Sequence, residues 1–308
     1  MGIGNSLKVD IGGGLRLKNP IMTASGTFGY GSEFADYVNL QRLGAIVVKG
    51  ISLQPRPGNP PPRIVETSCG MLNAIGLENV GIEKFSSGKM PFLRKIGTPV
   101  IVNILGDSIE EYSELAEKLN DIKGISAIEV NISCPNVKKG GVAFGTDPVM
   151  VKKVTESVKA KTSLPVIIKL SPNVTDITAT ARAAEDGGAD TVSLINTLMG
   201  IAIDHKSRKP KLANIIGGLS GPAIKPVALR MVWQVANAVK IPIIGIGGIM
   251  STDDALEFMV AGASAVQVGT ANLVDPDTTE RIIDGMSDFV EETGCQSIRE
   301  IVGTLQTG

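Results

Sequence analysis

The sequence predicts an α/β fold, a single (β/α)8 TIM barrel with long loops at its C-terminal face. Three observations predict it. Eight short β-branched runs recur along the 308 residues, most lead through a polar or glycine turn into a helical pattern, and the runs are nearly continuous in Val, Ile and Ala. Unbroken apolar runs of one strand length are the mark of parallel strands buried on both faces, and eight βα units in succession close into a barrel.

The runs are Pro20 to Ala24, Ala45 to Lys49, Val100 to Ile104, Ala127 to Asn131, Val166 to Leu170, Thr191 to Ile195, Ile243 to Ile246 and Ala265 to Val268. Helical patterns between them include Ser108 to Leu119, Pro148 to Ala160, Val174 to Asp186 and Thr252 to Val260. A doubly wound open sheet would also give buried parallel strands. Its fingerprint is missing, because Gly245-Ile-Gly247-Gly248-Ile-Met250 is not G-x-G-x-x-G and no Walker motif occurs. No composition shift divides the chain, so residues 1–308 read as one domain. Three connections are long, 50–99, 132–147 and 197–225, and all leave C-terminal strand ends, the face where barrel enzymes build their sites. Within the first, Gln54 to Arg63 is too rich in proline for a helix and suggests a rigid excursion or small hairpin beside the barrel mouth.

Composition excludes several classes of function. Thirty Lys and Arg against 31 Asp and Glu leave a net charge of -1, with no basic field for a nucleic acid. Cys69, Cys134 and Cys295 are too few and too scattered for a disulfide framework, which fits a reducing compartment. The N-terminus shows no secretion or transit pattern, and no apolar run approaches the ~20 residues of a membrane helix. A cytoplasmic protein is expected. The 36 glycines, roughly 12% against an average of about 7%, gather at the ends of apolar runs, as where a ligand approaches backbone closely.

The residues at the strand ends are Ser25, Lys49 and Gly50, Asn103, Asn131 to Cys134, Lys169, Asn196 and Thr197, Gly247 and Gly248, and Gly269 and Thr270. Acidic residues and histidine are absent from this set, which argues against a divalent metal or a carboxylate dyad. The only histidine, His205, reads as a loop surface residue. The glycines after strands seven and eight stand where barrels commonly bind phosphate, although one pair alone would make an ordinary tight turn. Cys134, on a loop that opens into the glycine-hinged stretch to Gly145, could be a general base, a general acid or a nucleophile. Cys69 and Cys295 carry no comparable context. Lys49 and Lys169 could snorkel to solvent or supply fixed positive charge to a carboxylate or an anionic cofactor. Asn73, Asn103, Asn131 and Asn196 each bring a donor and an acceptor, and together suit a planar, amide-rich ring such as a pyrimidine.

Several motifs occur in order from about Leu17 to Asp275: Gly70-Met-Leu-Asn-Ala-Ile-Gly-Leu77, Asn131-Ile-Ser-Cys-Pro-Asn136, Lys169-Leu-Ser-Pro-Asn-Val-Thr-Asp176, Gly217-Gly-Leu-Ser-Gly-Pro222 and Ile246-Gly-Gly-Ile249. In these the chain resembles the soluble, class 1 FMN-binding dihydroorotate dehydrogenases with a catalytic cysteine. The 169–176 motif and Gly140 to Pro148 look more like the NAD-linked subclass (1B) than the fumarate-linked one. The resemblance implies oxidation of dihydroorotate to orotate in de novo pyrimidine (UMP) biosynthesis, with FMN as hydride acceptor and Cys134 as the base. It implies that Ser25, Lys49, Gly50, Asn103, Asn131, Lys169, Ile195, Gly221, Gly247, Gly248, Gly269 and Thr270 surround FMN, the last four at its phosphate. Lys49, Asn73, Ala74, Ile75, Gly76, Leu77, Asn131, Asn196 and Thr197 would hold dihydroorotate. It further implies a homodimer core and a partner subunit carrying FAD and a [2Fe–2S] cluster, two of each chain together, passing electrons to NAD. Three separated cysteines cannot supply the usual four ligands of such a cluster within this chain.

Other readings stay open at this point. The fumarate-linked enzyme and another FMN barrel acting on a dihydropyrimidine share most of these features, and a flavin-free barrel serving as a scaffold is a third class. A tRNA-modifying barrel would need a basic face that the charge balance does not supply.

Overall fold

The structure is a computed structural model that describes residues 6–132 and 144–308. Eight parallel strands form its centre: β1 (Ile21–Thr23), β2 (Ile46–Ile51), β3 (Val100–Ile104), β4 (Ala127–Asn131), β5 (Val166–Lys169), β6 (Thr191–Leu194), β7 (Ile243–Ile246) and β8 (Ala265–Val268). They are ordered β1-β8-β7-β6-β5-β4-β3-β2. The ring closes between β1 and β2 through one parallel bridge, Met22 to Ala45, and through Thr23, whose Oγ1 accepts from the Val47 N–H at 3.0 Å. The sequence runs and the strands therefore coincide to within two residues. Val, Ile and Ala fill them because helices cover the outside while side chains fill the barrel interior. A short antiparallel pair, Val9–Asp10 with Arg16–Leu17, lies at the N-terminal end of the barrel, where Thr191 donates to the Ile11 carbonyl.

Capping residues set where the helices begin. Ser108 caps Ile109–Asn120, Asp147 caps Pro148–Lys159 and Asp176 caps Ile177–Asp186, each by accepting a backbone N–H of the first turn. The pattern read from Ser108 and Val174 thus starts later, because a side chain that accepts from the first turn stands outside the helix. Ser251 and Asp254 make a reciprocal capping box on Thr252–Val260. Tyr112, Leu115, Ala116 and Leu119 show the helical spacing that buries one face against the strands. Helical segments not singled out from sequence include Lys225–Ala236, Thr278–Thr293 and the stretch from Gly81 to Ile96, which carries a π turn at Phe85–Lys89.

The first and third long connections meet over the C-terminal face. Ile64–Thr67 and Gly70–Asn73 form a hairpin, and Gly70–Asn73 pairs with Ile216–Ser220, which pairs in turn with Leu198–Ile201. The hairpin falls just after the proline-rich stretch rather than within it. Gln54 to Arg63 instead runs back along the segment after the hairpin, Arg56 bridging to Asn79 and the Asn59 N–H donating to the Ile75 carbonyl at 3.0 Å. Most of the second connection, with Cys134 and residues 140–143 of the Gly140 to Pro148 stretch, lies outside the described residues. Among the described residues no helix is long and apolar enough to cross a membrane.

Candidate active site

The polar centre of the barrel is built around a carboxylate that the strand-end reading passed over. Glu129, at the middle of β4, is fully buried. Its Oε1 accepts from Asn103 Nδ2 of β3 at 2.8 Å and lies 3.7 Å from Lys169 Nζ of β5. Its Oε2 accepts from Ser193 Oγ of β6 at 3.0 Å and from Gln267 Nε2 of β8, across the barrel, at 2.6 Å. A buried charge persists only where partners replace its water, and here four strands supply them. The sequence signal was an acidic residue inside an apolar strand, Ala127-Ile-Glu-Val-Asn131, a place where charge is seldom found unpaired.

Above this layer stand the residues named from sequence. Register pairing sets Asn131 beside Lys169, and Lys169 beside Ser193. Asn131 Oδ1 accepts from Asn196 Nδ2 at 3.1 Å, and the Asn131 carbonyl accepts from Tyr112 OH at 2.7 Å. Because Asn103 spends its Nδ2 on Glu129, its Oδ1 faces Gly50, where a Cβ would come within 2.9 Å of it. Lys49 and Gly50 lie where the β2–β3 register shifts, an irregularity that re-aims a side chain at a barrel rim. None of the described candidates is exposed: Gly50, Asn103, Lys169, Ile195, Gly221 and Ala74 are buried and the rest half-buried.

At the ends of β7 and β8 the turns draw together. Gly248 adopts φ +75°, and a Cβ there would fall 2.9 Å from both the Gly221 carbonyl oxygen and the Lys225 nitrogen. Thr270 Oγ1 donates to Ser220 Oγ at 2.9 Å, and a Cβ on Gly247 would sit 3.4 Å from Ile195. Lys225 pairs with Asp254 and, at 2.9 Å, with Glu257. Burial alone would push the Asp254 carboxyl up, but the Lys225 ammonium, the Met250 N–H and Ser251 together hold it below its ordinary value. Ser220 and Lys225 were not named from sequence. Each is ordinary in a loop and gains a role only from where the fold brings it.

The small sheet positions the third group. Asn73 Nδ2 donates to the Gly218 carbonyl at 3.3 Å, and Asn173 Nδ2 donates to the Thr197 carbonyl at 3.0 Å. This sheet therefore ties the 73–77 segment to the residues after β6. The side chains of Ser25, half-buried at the end of β1, and Lys49 have no hydrogen-bond or ion-pair partner among the described residues, and Cys134 lies outside them. His205 is exposed, as expected of a surface residue, Cys69 is exposed and Cys295 half-buried.

The fit to a flavin nucleotide can be tested on these features. A buried lysine, three strand-end amides and a half-buried rim match a flat, amide-edged ring, while adjoining glycine turns at β7 and β8 leave backbone open to a phosphate. No group of metal-ligating side chains is found among the described residues.

The family model described as dihydroorotate dehydrogenase matches residues 6–290. The chain is 60% identical over 301 residues to the "Dihydroorotate dehydrogenase B (NAD(+)), catalytic subunit" of Geotalea uraniireducens (strain Rf4), covering 98% of both chains. It is 62% identical over 293 residues to the like-named protein of Pelobacter propionicus, covering 95% of this chain and 96% of that one. With the like-named protein of Geobacter metallireducens it shares 62% identity over 300 residues, covering 97% and 98%.

Proposed function

The chain belongs to the dihydroorotate dehydrogenase family, and from that premise we propose how its own residues carry the reaction. It is an FMN-dependent oxidoreductase of pyrimidine biosynthesis that oxidises dihydroorotate to orotate, with NAD as the final acceptor. Its fold is the TIM barrel the sequence predicted. FMN, when bound, supplies the acceptor for the hydride that leaves C6 of dihydroorotate.

The remaining work falls to side chains. Residues 1–308 act as one FMN-binding domain. Lys169, Asn103 and Asn131, with Ser25, Lys49, Gly50 and Ile195, hold the flavin ring, and Lys169 places positive charge where negative charge develops on reduction. Gly221, Gly247, Gly248, Gly269 and Thr270 enclose the ribityl phosphate end, where backbone amides rather than side chains bind the anion. Asn73 to Leu77, Asn131, Asn196 and Thr197 orient dihydroorotate through its ring amides, and Lys49 neutralises its carboxylate. Cys134 as thiolate takes the C5 proton. An ordinary thiol ionises near pH 8.5, and cationic or amide neighbours lower that value, so flavin reduction rises with pH through the Cys134 ionisation.

The observation that carries this reading is the convergence of a buried lysine, strand-end amides and two adjoining glycine turns on one barrel face. Electrons leave through a separate subunit, as the name "catalytic subunit" of the relatives suggests. We place FAD and [2Fe–2S] in that partner, two of each chain in the assembly around a homodimer of this one, in the cytoplasm. Anaerobic mixing of the purified chain with dihydroorotate is the test. Rapid loss of the visible flavin band is expected, and a yellow protein that stays yellow would discard the substrate.

A further inference from the structure

We infer that Glu129 is a positioning residue for the redox reaction: it sets the electrostatic strength of Lys169 at the flavin without touching substrate. The inference rests on the placement of Lys169 beside FMN proposed above. Glu129 is fully buried, yet the steps assigned to the site make no use of it. Four strands, β3, β5, β6 and β8, reach it through Asn103, Lys169, Ser193 and Gln267.

Three consequences follow from that arrangement. The carboxylate 3.7 Å from Lys169 Nζ offsets part of the ammonium charge, so the cation seen by the flavin is weaker than a lone lysine would be. By accepting from Asn103 Nδ2, it also fixes which end of that amide is left for the ring. Gln267 points its nitrogen at the carboxylate and leaves its own Oε1 buried with no partner, an unfavourable state held in place by the bond to Glu129. A cluster that only filled space would be served as well by apolar side chains. This one keeps a charge next to the charge that matters.

The reduction potential of bound FMN tests the idea, because a merely structural residue would not move it selectively. In the FMN-loaded chain, Glu129→Gln unmasks Lys169 and favours reduced flavin by about tenfold or more, a rise of about 30 mV or more for the two-electron couple. In a Lys169→Met background the same substitution leaves the potential essentially unchanged, because no cation remains there for the carboxylate to mask. Equal potentials for wild type and Glu129→Gln would overturn the inference. So would an undiminished shift when Lys169 is absent, which would make the effect direct. If Glu129→Gln does not fold or retain flavin, Glu129→Asp keeps the charge but draws it back from Lys169. A smaller rise, again abolished by Lys169→Met, is then expected, and no rise refutes. Wild-type flavin that dihydroorotate fails to bleach would instead count against the proposed function, leaving the potential comparison intact.

Discussion

Gly269→Ala separates cofactor binding from folding. A Cβ on Gly269 would meet Ala24 Cβ at 3.4 Å and Thr27 at 3.8 and 3.9 Å, all ordinary contacts, and its backbone is outside the left-handed region. Stability should therefore change by no more than about 0.5 kcal/mol. If the phosphate lies against this Cα as proposed, the methyl takes its place, and a loss of roughly 1.4 to 3 kcal/mol weakens FMN about 10- to 100-fold. Gly248→Ala is the contrast. Its φ of +75° and approaches of 2.9 Å to two backbone atoms predict strain in the protein itself. A left-handed alanine costs about 1–2 kcal/mol and overpacking about 1–3, so stability falls by roughly 2–5 kcal/mol. Flavin fluorescence titration of the apoprotein reads the affinity and urea unfolding reads the stability. Gly269→Ala that binds FMN as tightly as wild type would refute the phosphate placement at β8.

Cys134→Ala should slow flavin reduction by dihydroorotate by about 10²- to 10⁴-fold while leaving FMN bound, as measured by stopped flow, and an unchanged rate at mildly alkaline pH removes the cysteine from the chemistry. Lys169→Met leaves Glu129 buried without its cation and should cost about 3–5 kcal/mol in urea unfolding; a loss below about 1 kcal/mol would show that the pair does not stabilise the barrel. Asp254 ionises lower in the folded chain than in the unfolded one, so its contribution is present above the ordinary Asp value near 3.9 and is lost as pH falls. Wild type should accordingly lose thermal stability more steeply than Asp254→Asn below about pH 4, and parallel acid profiles would contradict this. The purified chain alone should reduce NAD very poorly and gain that activity with its partner subunit; efficient reduction by the chain alone would refute the partner requirement.

The eight strands were legible because burial on both faces leaves a local signature, a short unbroken run of Val, Ile and Ala that needs no knowledge of neighbours. Lys169, Asn131 and the β7 and β8 glycines were legible for a related reason, since polar or glycine residues that end such runs must face the C-terminal rim. Glu129 was hidden by the same logic applied too narrowly. Attention to strand ends skips a charge at mid-strand, although Asn103, Lys169 and Gln267 in neighbouring runs were the clue to its company. The four-stranded sheet over the mouth was not legible at all. Its pairing of Gly70–Asn73 with Ile216–Ser220 joins segments almost half the chain apart, and residues such as Gly217 and Gly218 show little strand preference by themselves.

The closure between β1 and β2 bears on what kind of object the barrel is. An open sheet has two edges and a ring has none, and here the difference between them is carried by one bridge, by the Gly44 N–H donating to the Ile21 carbonyl at 2.8 Å, and by one side chain. Thr23 is fully buried, and its hydroxyl accepts from Val47 where a ladder rung would otherwise be. A valine in its place would have nearly the same shape and would leave that amide with no acceptor. The topology of the enzyme, edge-free rather than edged, thus draws on a side-chain oxygen beside the backbone at the seam where its first two strands meet.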